Sequence, residues 1–205
     1  MIQLRESDSF RVVVTASSAG GVAALTEILS HLPADFPAAV AVVQHRGASN
    51  TPGMLETILG GCTTLSVLEA VEGARLRPGV VQVAPYGSHL VVNADGSLSL
   101  SDGPKVRYYR PAADRLFESA ASAFGHRVIG VVLTGGNSDG SAGTVAVMGG
   151  GGFVIAQSPD TADVPSMPAS AIATGAVGCV LALREIAPAL LRLVGCKGSP
   201  GPKKD

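Results

Sequence analysis

The chain has no tryptophan, only three cysteines, and aromatic residues make up just 4% of it. Cys62, Cys179 and Cys196 are odd in number, widely spaced and without a C-x-x-C pair, which argues against a disulfide framework or a zinc site and for reduced, mostly buried thiols. Charge is scarce as well: 15% of residues are charged, and Lys+Arg 15 against Asp+Glu 16 leaves a net charge of -1. That balance supplies no global drive toward nucleic acid or an anionic membrane, and leaves only a local basic patch as a route to either. No apolar run approaches the roughly 20 residues that span a bilayer, and the opening MIQLRESDSFR has no signal-peptide core. Neither G-x-G-x-x-G nor a glycine-rich loop ending in Gly-Lys-Ser/Thr occurs, so the common phosphate cradles are excluded. The expectation is a cytoplasmic protein without membrane insertion, nucleic acid partner, cofactor or metal.

What is present is an apolar chain, 46% hydrophobic with 26 glycines in 205 residues, long enough to bury one substantial core. It reads as one α/β domain over residues 1–196, followed by a loose Pro/Gly/Lys-rich tail, KGSPGPKKD, at 197–205. Buried strands are expected at 12–14, 38–44, 64–68, 80–84, 128–133, 153–157 and 179–183. Helical spacing appears after 21 and at 54–59, 111–124, 141–148, 167–174 and 185–194. Segments 89–93 and 97–101 flank Ala94-Asp95-Gly96, a hairpin signal that interrupts the strand-helix rhythm.

The stretch of greatest interest is RVVVTASSAGG at 11–21, where a β-branched run breaks into Ser-Ser-Ala-Gly-Gly and Val22, Leu25, Ile28 and Leu29 then recur at helical spacing. A strand-to-helix turn of this kind presents a hydroxyl at the carboxyl edge of a sheet, beside free N–H groups that favour negative charge. His45 follows the second strand directly, and Asp139 lies in the Thr-Gly-Gly-Asn-Ser-Asp-Gly loop after the strand at 128–133. In a parallel sheet all carboxyl ends share one edge, so Ser18, His45 and Asp139 are placed to converge as nucleophile, base and orienting carboxylate. Each also has a plain structural alternative: Ser as a helix cap, His45 as a strand-end histidine, and Asp139 as the cap of the helix that begins at Ser141.

Three local motifs resemble the C-terminal catalytic domain of CheB-type chemotaxis receptor methylesterases. Ala-Ser-Ser-Ala-Gly-Gly at 16–21 is similar to the family's Gly-Ala-Ser-Thr-Gly-Gly, Val43-Gln44-His45 to its Gln-His, and Leu133-Thr-Gly-Gly-Asn-Ser-Asp139-Gly140 to its Leu-Thr-Gly-Met-Gly-x-Asp-Gly. Shorter likenesses fall in the same order, among them Val83-Ala84-Pro85 with His89, Arg110-Pro111 and Met167-Pro168. The resemblance implies a three-layer, doubly wound, mostly parallel Rossmann-like sheet with a small antiparallel hairpin. It implies that Ser18 is the nucleophile, His45 the base and Asp139 its orienter, with backbone oxyanion donors near Ala19 and Gly136. The implied activity is hydrolysis of γ-glutamyl methyl esters on a methylated chemoreceptor or receptor-like helical protein, with glutamine deamidation in some members. Of the adjacent serines, Ser18 aligns with the family's serine. Successive residues leaving a strand also point in opposite directions, so only one hydroxyl can face the histidine.

The chain departs from the family at Gly136 and Asn137, where the motif has Met and Gly, at Arg46-Gly47, where it has Met-Pro, and along 47–52. Loss of the Met side chain is expected to widen the cleft or shift its loop. Family members with an N-terminal receiver domain are regulated by its phosphorylation; this chain begins about ten residues before its first strand, so no such regulation in cis is expected. Two other functions fit the same residues, a catalytically weak helix-binding module and a hydrolase of small esters or amides.

Overall fold

The computed structural model describes residues 10–46 and 53–196. In chain order its elements are β1 (Arg11–Ser17), α1 (Gly21–Ser30), β2 (Ala38–Gln44), α2 (Met54–Gly60), β3 (Ser66–Glu69), β4 (Val80–Val83), β5 (His89–Val92), β6 (Leu98–Ser101), α3 (Ala113–Phe124), β7 (Val128–Val132), α4 (Ser141–Gly149), β8 (Phe153–Gln157), α5 (Ser166–Ala173), β9 (Cys179–Leu181) and α6 (Leu183–Leu193). Seven strands form one parallel sheet in the order β3-β4-β2-β1-β7-β8-β9, and β5 and β6 pair antiparallel as a separate hairpin. This is the expected α/β architecture. The expectations for 47–52 and for 197–205 lie outside the described residues.

The central strands are buried and mostly apolar because both of their faces are covered. Alternate residues of β1 point to opposite sides: Val12, Val14 and Ala16 pack with Leu116, Phe117 and Met167 on one face, while Val13 joins Leu25, Ile28 and Phe36 on the other. Chain direction across the sheet reverses at β1, which has β2 on one side and β7 on the other. Loops leaving β1 and β7 there part to opposite faces and open a crevice at the carboxyl edge.

The hairpin is fastened to the start of α3. His89, 2% exposed, accepts the Ala112 N–H at Nδ1 (3.2 Å) and bonds the Pro104 carbonyl through Nε2 (3.0 Å), and Ser119 Oγ accepts the Val92 N–H at 3.0 Å. The three cysteines are free but half-buried, more open than expected. Cys179 lies on β9, an edge strand with a single neighbour, and Cys62 follows α2, donating its thiol to the Leu59 carbonyl at 2.9 Å. Among the described residues no helix is long and apolar enough to cross a membrane.

Helices α3 and α4 pack tightly against each other at Gly143. A Cβ on Gly143 would collide with Phe117 Cβ and stand 3.3 Å from Asp114 Cα. Gly143→Ala therefore sets a steric penalty of about 1–3 kcal/mol against the gain in helix propensity of about 1 kcal/mol. We expect a net loss, seen in thermal unfolding as about 2–4 °C for each kcal/mol. A melting temperature equal to or above wild type would show that the two helices can separate without cost.

Candidate active site

Register places the ends of three strands together. Ser17 lies opposite Gln44 and Ala16 opposite Val132, the His45 N–H donates to the Ser17 carbonyl at 2.9 Å, and the Ser18 N–H donates to the Thr134 carbonyl at 3.0 Å. The two serines then diverge as strand alternation requires. Ser17 is fully buried and donates its hydroxyl to Gln44 Oε1 at 2.7 Å. Ser18 is half-buried, with its Cβ against Gly135, where an added Cβ would approach it to 2.8 Å. The Gln44 amide holds the turn from below, donating to the Ser18 carbonyl at 2.8 Å and the His45 carbonyl at 2.9 Å. The two glycines that follow serve different ends: Gly20 adopts a left-handed φ of 77°, while a Cβ on Gly21 would strike Gln44 Oε1 and stand 2.6 Å from Ser17 Cβ.

His45 and Asp139 form a buried pair. Nε2 and Oδ2 are 2.8 Å apart, with side chains 4% and 0% exposed. The carboxylate also accepts the N–H groups of Ala113 (2.6 Å), Asp114 (3.0 Å) and Gly140 (3.0 Å). Burial alone would raise the Asp139 carboxyl, but the His45 hydrogen bond together with the Asp114 and Ala113 N–H groups outweighs it and holds the group below its ordinary value. Thus Asp139 sits chiefly on the N-terminus of α3, and touches the start of the helix beginning at Ser141 only through the adjacent Gly140 N–H. The reason is an exchange: Asp114, in the first turn of α3, accepts the N–H groups of Gly140 (2.9 Å) and Gly143 (2.8 Å) at the start of α4. Burial pushes the Asp114 carboxyl up; the Gly143 bond opposes this, the neighbouring Asp139 charge adds to the rise, and Arg107 at 3.3 Å lowers it.

The second ring nitrogen of His45 is also occupied. Nε2 faces a carboxylate and so carries the proton, which leaves Nδ1 as acceptor. Asn137 Nδ2 lies 3.1 Å from it, and Asn137 Oδ1 accepts the Asp139 N–H at 2.7 Å, which orients the amide. The expected hydrogen bond between Ser18 and His45 is not made. Ser18 Oγ has no hydrogen-bond partner among the described residues, and the Asn137 amide lies on the second imidazole nitrogen. Tyr109 stacks on the imidazole, with ring centroids 3.9 Å apart and planes 10° from parallel. The backbone N–H groups of Ala19 and Gly136 have no partner among the described residues. No cluster of three or more potential metal ligands occurs among the described residues.

Sequence reasoning missed five contributors. Gln44 appears in the quoted Gln-His pair but without a role, and Asn137 only as a departure. Asp114 and Arg107 carry no motif. Tyr109 lies in an irregular segment; the rarity of tyrosine, with three in the chain and two adjacent, was its one signal.

Comparison with known proteins converges on one family. A family model described as CheB methylesterase matches residues 13–190. A Leptospira interrogans relative, provisionally named protein-glutamate methylesterase/protein-glutamine glutaminase, is 38% identical over 185 residues, covering 90% of this chain and 95% of the relative. Protein-glutamate methylesterase FrzG of Myxococcus xanthus is 40% identical over 185 residues, covering 90% of this chain and 55% of the relative. The crystal structure of the Thermotoga maritima CheB methylesterase catalytic domain superposes with a TM-score of 0.87 at 37% identity, covering 91% of this chain and 100% of that one.

The depressed Asp139 carboxyl makes a signed prediction. Its contribution to stability is fully present above the ordinary value of 3.8 and is lost as pH falls through the lower folded-state value. Urea unfolding of wild type and Asp139→Asn, followed from about pH 7 to about pH 3, should show a wild-type advantage that shrinks below 3.8. A constant difference across that range would mean that Asp139 is not held ionised by the fold. Asp114, with its carboxyl raised, contributes with the opposite sign: stability present below 3.8 and lost as pH rises through the folded value.

Proposed function

Because the chain belongs to the CheB methylesterase family, we propose that it hydrolyses γ-glutamyl methyl esters on a methylated chemoreceptor or a receptor-like helical protein, through Ser18, His45 and Asp139. The observation that carries this reading is the 2.8 Å bond between His45 and Asp139, made beside a half-buried serine on a strand-to-helix turn. Removal of glutamine amide groups by the same route is a companion activity, since relatives carry both names. This reading puts the protein in the cytoplasm, where receptor methylation helices lie.

The chemistry follows from the donor order. Ser18 Oγ displaces the Asn137 amide from His45 Nδ1, gives up its proton there and attacks the ester carbonyl carbon. Asp139, fixed by three backbone N–H groups, keeps the ring oriented and stabilises the imidazolium that forms. The Ala19 and Gly136 N–H groups take the tetrahedral oxyanion, each such donor contributing about 3 kcal/mol. Collapse breaks the bond to methoxide, which receives the proton from Nδ1 and leaves as methanol. Water, deprotonated by the same nitrogen, then cleaves the acyl-serine and releases glutamate. One observation favours the weaker-binder alternative: the Asn137 amide already occupies the base nitrogen.

A fluorophosphonate probe separates these readings. Mass spectrometry should find the adduct on Ser18, and Ser18→Ala should abolish both labelling and methanol release. Ser17→Ala should keep the label but lose about 1–3 kcal/mol of stability, since it strips Gln44 Oε1 of its buried donor. An adduct on Ser17 would overturn the assignment, and no adduct at all would favour the binding module.

The occupied nitrogen gives a second test. A hydrogen bond that must be broken before attack is worth about 1 kcal/mol, so Asn137→Gly should speed labelling of Ser18 by about fivefold. Labelling at or below the wild-type rate would show that Asn137 does not compete with the serine.

A further inference from the structure

All three tyrosines of the chain, Tyr86, Tyr108 and Tyr109, line a single cleft of about 330 Å³ that has His45 in its wall. Arg46, Lys105 and Arg110 line it too, and no carboxylate does. The Arg46 side chain is buried, pairs with Glu56 at 3.8 Å and donates to the Ala84 carbonyl at 2.9 Å, so the charge open to a ligand is that of the other two. Arg110 donates to the backbone carbonyls of Asp102 (2.7 Å) and Gly103 (2.9 Å) and leaves Nε unbonded. Lys105 is exposed and makes no ion pair among the described residues. In a chain of net charge -1, this is a local concentration of cations beside the proposed base.

The wall is also built at a conformational cost. Arg107 and Tyr108 both have positive φ, 48° and 72°, in a tight turn closed by the two backbone bonds between Val106 and Tyr109. Left-handed backbone is disfavoured for a non-glycine residue, and such outliers gather where function requires a particular placement. The placement obtained here turns Tyr109 back onto His45 and leaves the Tyr108 ring 92% exposed at the cleft.

We propose that this cleft is a specificity subsite that receives an acidic side chain of the polypeptide substrate next to the reacting ester. Lys105 and Arg110 supply the charge, and Tyr86 and Tyr108 supply aromatic walls with hydroxyl donors. On a helical substrate, residues three or four positions from the reacting one project from the same face, about 5–6 Å away at Cβ. A neighbouring side chain can therefore enter a cleft that shares His45 with the reaction. A volume of this size admits side chains and not a duplex or a membrane surface. The proposal rests on the esterase reading for its choice of substrate.

The test uses the full chain carrying Ser18→Ala, which cannot turn over, and two fluorescent helical peptides containing one γ-methyl glutamyl residue. Glutamates flank that residue three and four positions away in one peptide, and glutamines do so in the other. Anisotropy titration at low salt should give about three- to tenfold tighter binding of the glutamate peptide. The gap should vanish near about 1 M NaCl, where screening shortens to about 3 Å. Lys105→Glu should close the gap. Arg77→Glu, the same charge change on an exposed residue at the opposite edge of the sheet, should keep it. Equal binding of the two peptides at low salt overturns the proposal, as does a gap that Lys105→Glu leaves intact. Wild-type fluorophosphonate labelling, run in parallel, separates the two readings. Discrimination without a labelled Ser18 supports the cleft and sinks the esterase, and a labelled Ser18 without discrimination overturns the cleft alone.

Discussion

Two buried carboxylates, each seated on the helix that the other's segment precedes or begins, organise the carboxyl edge of this sheet. Asp139 comes before α4 but binds the N–H groups of α3, and Asp114 belongs to α3 but binds those of α4. A buried carboxylate is tolerated only when its charge is met by donors, and free N–H groups at a helix start are such donors. The exchange satisfies both needs at once and ties the loop after β7 to the segment before α3. From this knot the rest of the site takes its bearings. His45 is oriented by Oδ2 of Asp139, and Arg107, which holds Asp114 at 3.3 Å and Ser138 Oγ at 2.9 Å, anchors the turn that lays Tyr109 on the imidazole.

The knot sets the charge states as well as the geometry. Asp114 feels the charge of Asp139, and the two carboxyls shift in opposite directions. Asp139, given a histidine and backbone donors, stays easily ionised, while Asp114, buried beside that charge, becomes reluctant to ionise. The group that must remain negative to orient an imidazole is thus the one the fold favours as an anion. Gly143 makes this possible by letting α3 and α4 approach until their termini face each other.

The sheet was legible from composition and periodicity because a doubly covered parallel strand has to be apolar along its covered length, as residues 12–14, 38–43 and 128–133 are. That the turns carrying Ser18, His45 and Asp139 would meet at one edge was legible because each follows such a strand, where a parallel sheet gathers its loops. What escaped was everything decided by side chains meeting across loops. Nothing in the order of residues says that Asp139 would reach back to α3, that Asn137 would take the second imidazole nitrogen, or that Tyr109 would stack on the ring. Those contacts depend on crossing angles between helices and on a turn in left-handed backbone, neither of which has a periodic signature. Strand alternation turns the Ser17 hydroxyl away from the histidine; its bond to Gln44 gives it a structural task that alternation does not reveal.

The gathering of every tyrosine into one cleft, in a chain without tryptophan, has an optical consequence. Excited at the phenol band, the protein emits only from Tyr86, Tyr108 and Tyr109, so its intrinsic fluorescence is a signal from the mouth of this cleft and from nowhere else. Ring packing of Tyr109 on His45 will quench one of the three emitters, while the exposed Tyr108 will respond to whatever approaches from solvent. The molecule therefore carries its own reporter of this cleft, with no label to attach and no distant chromophore to subtract.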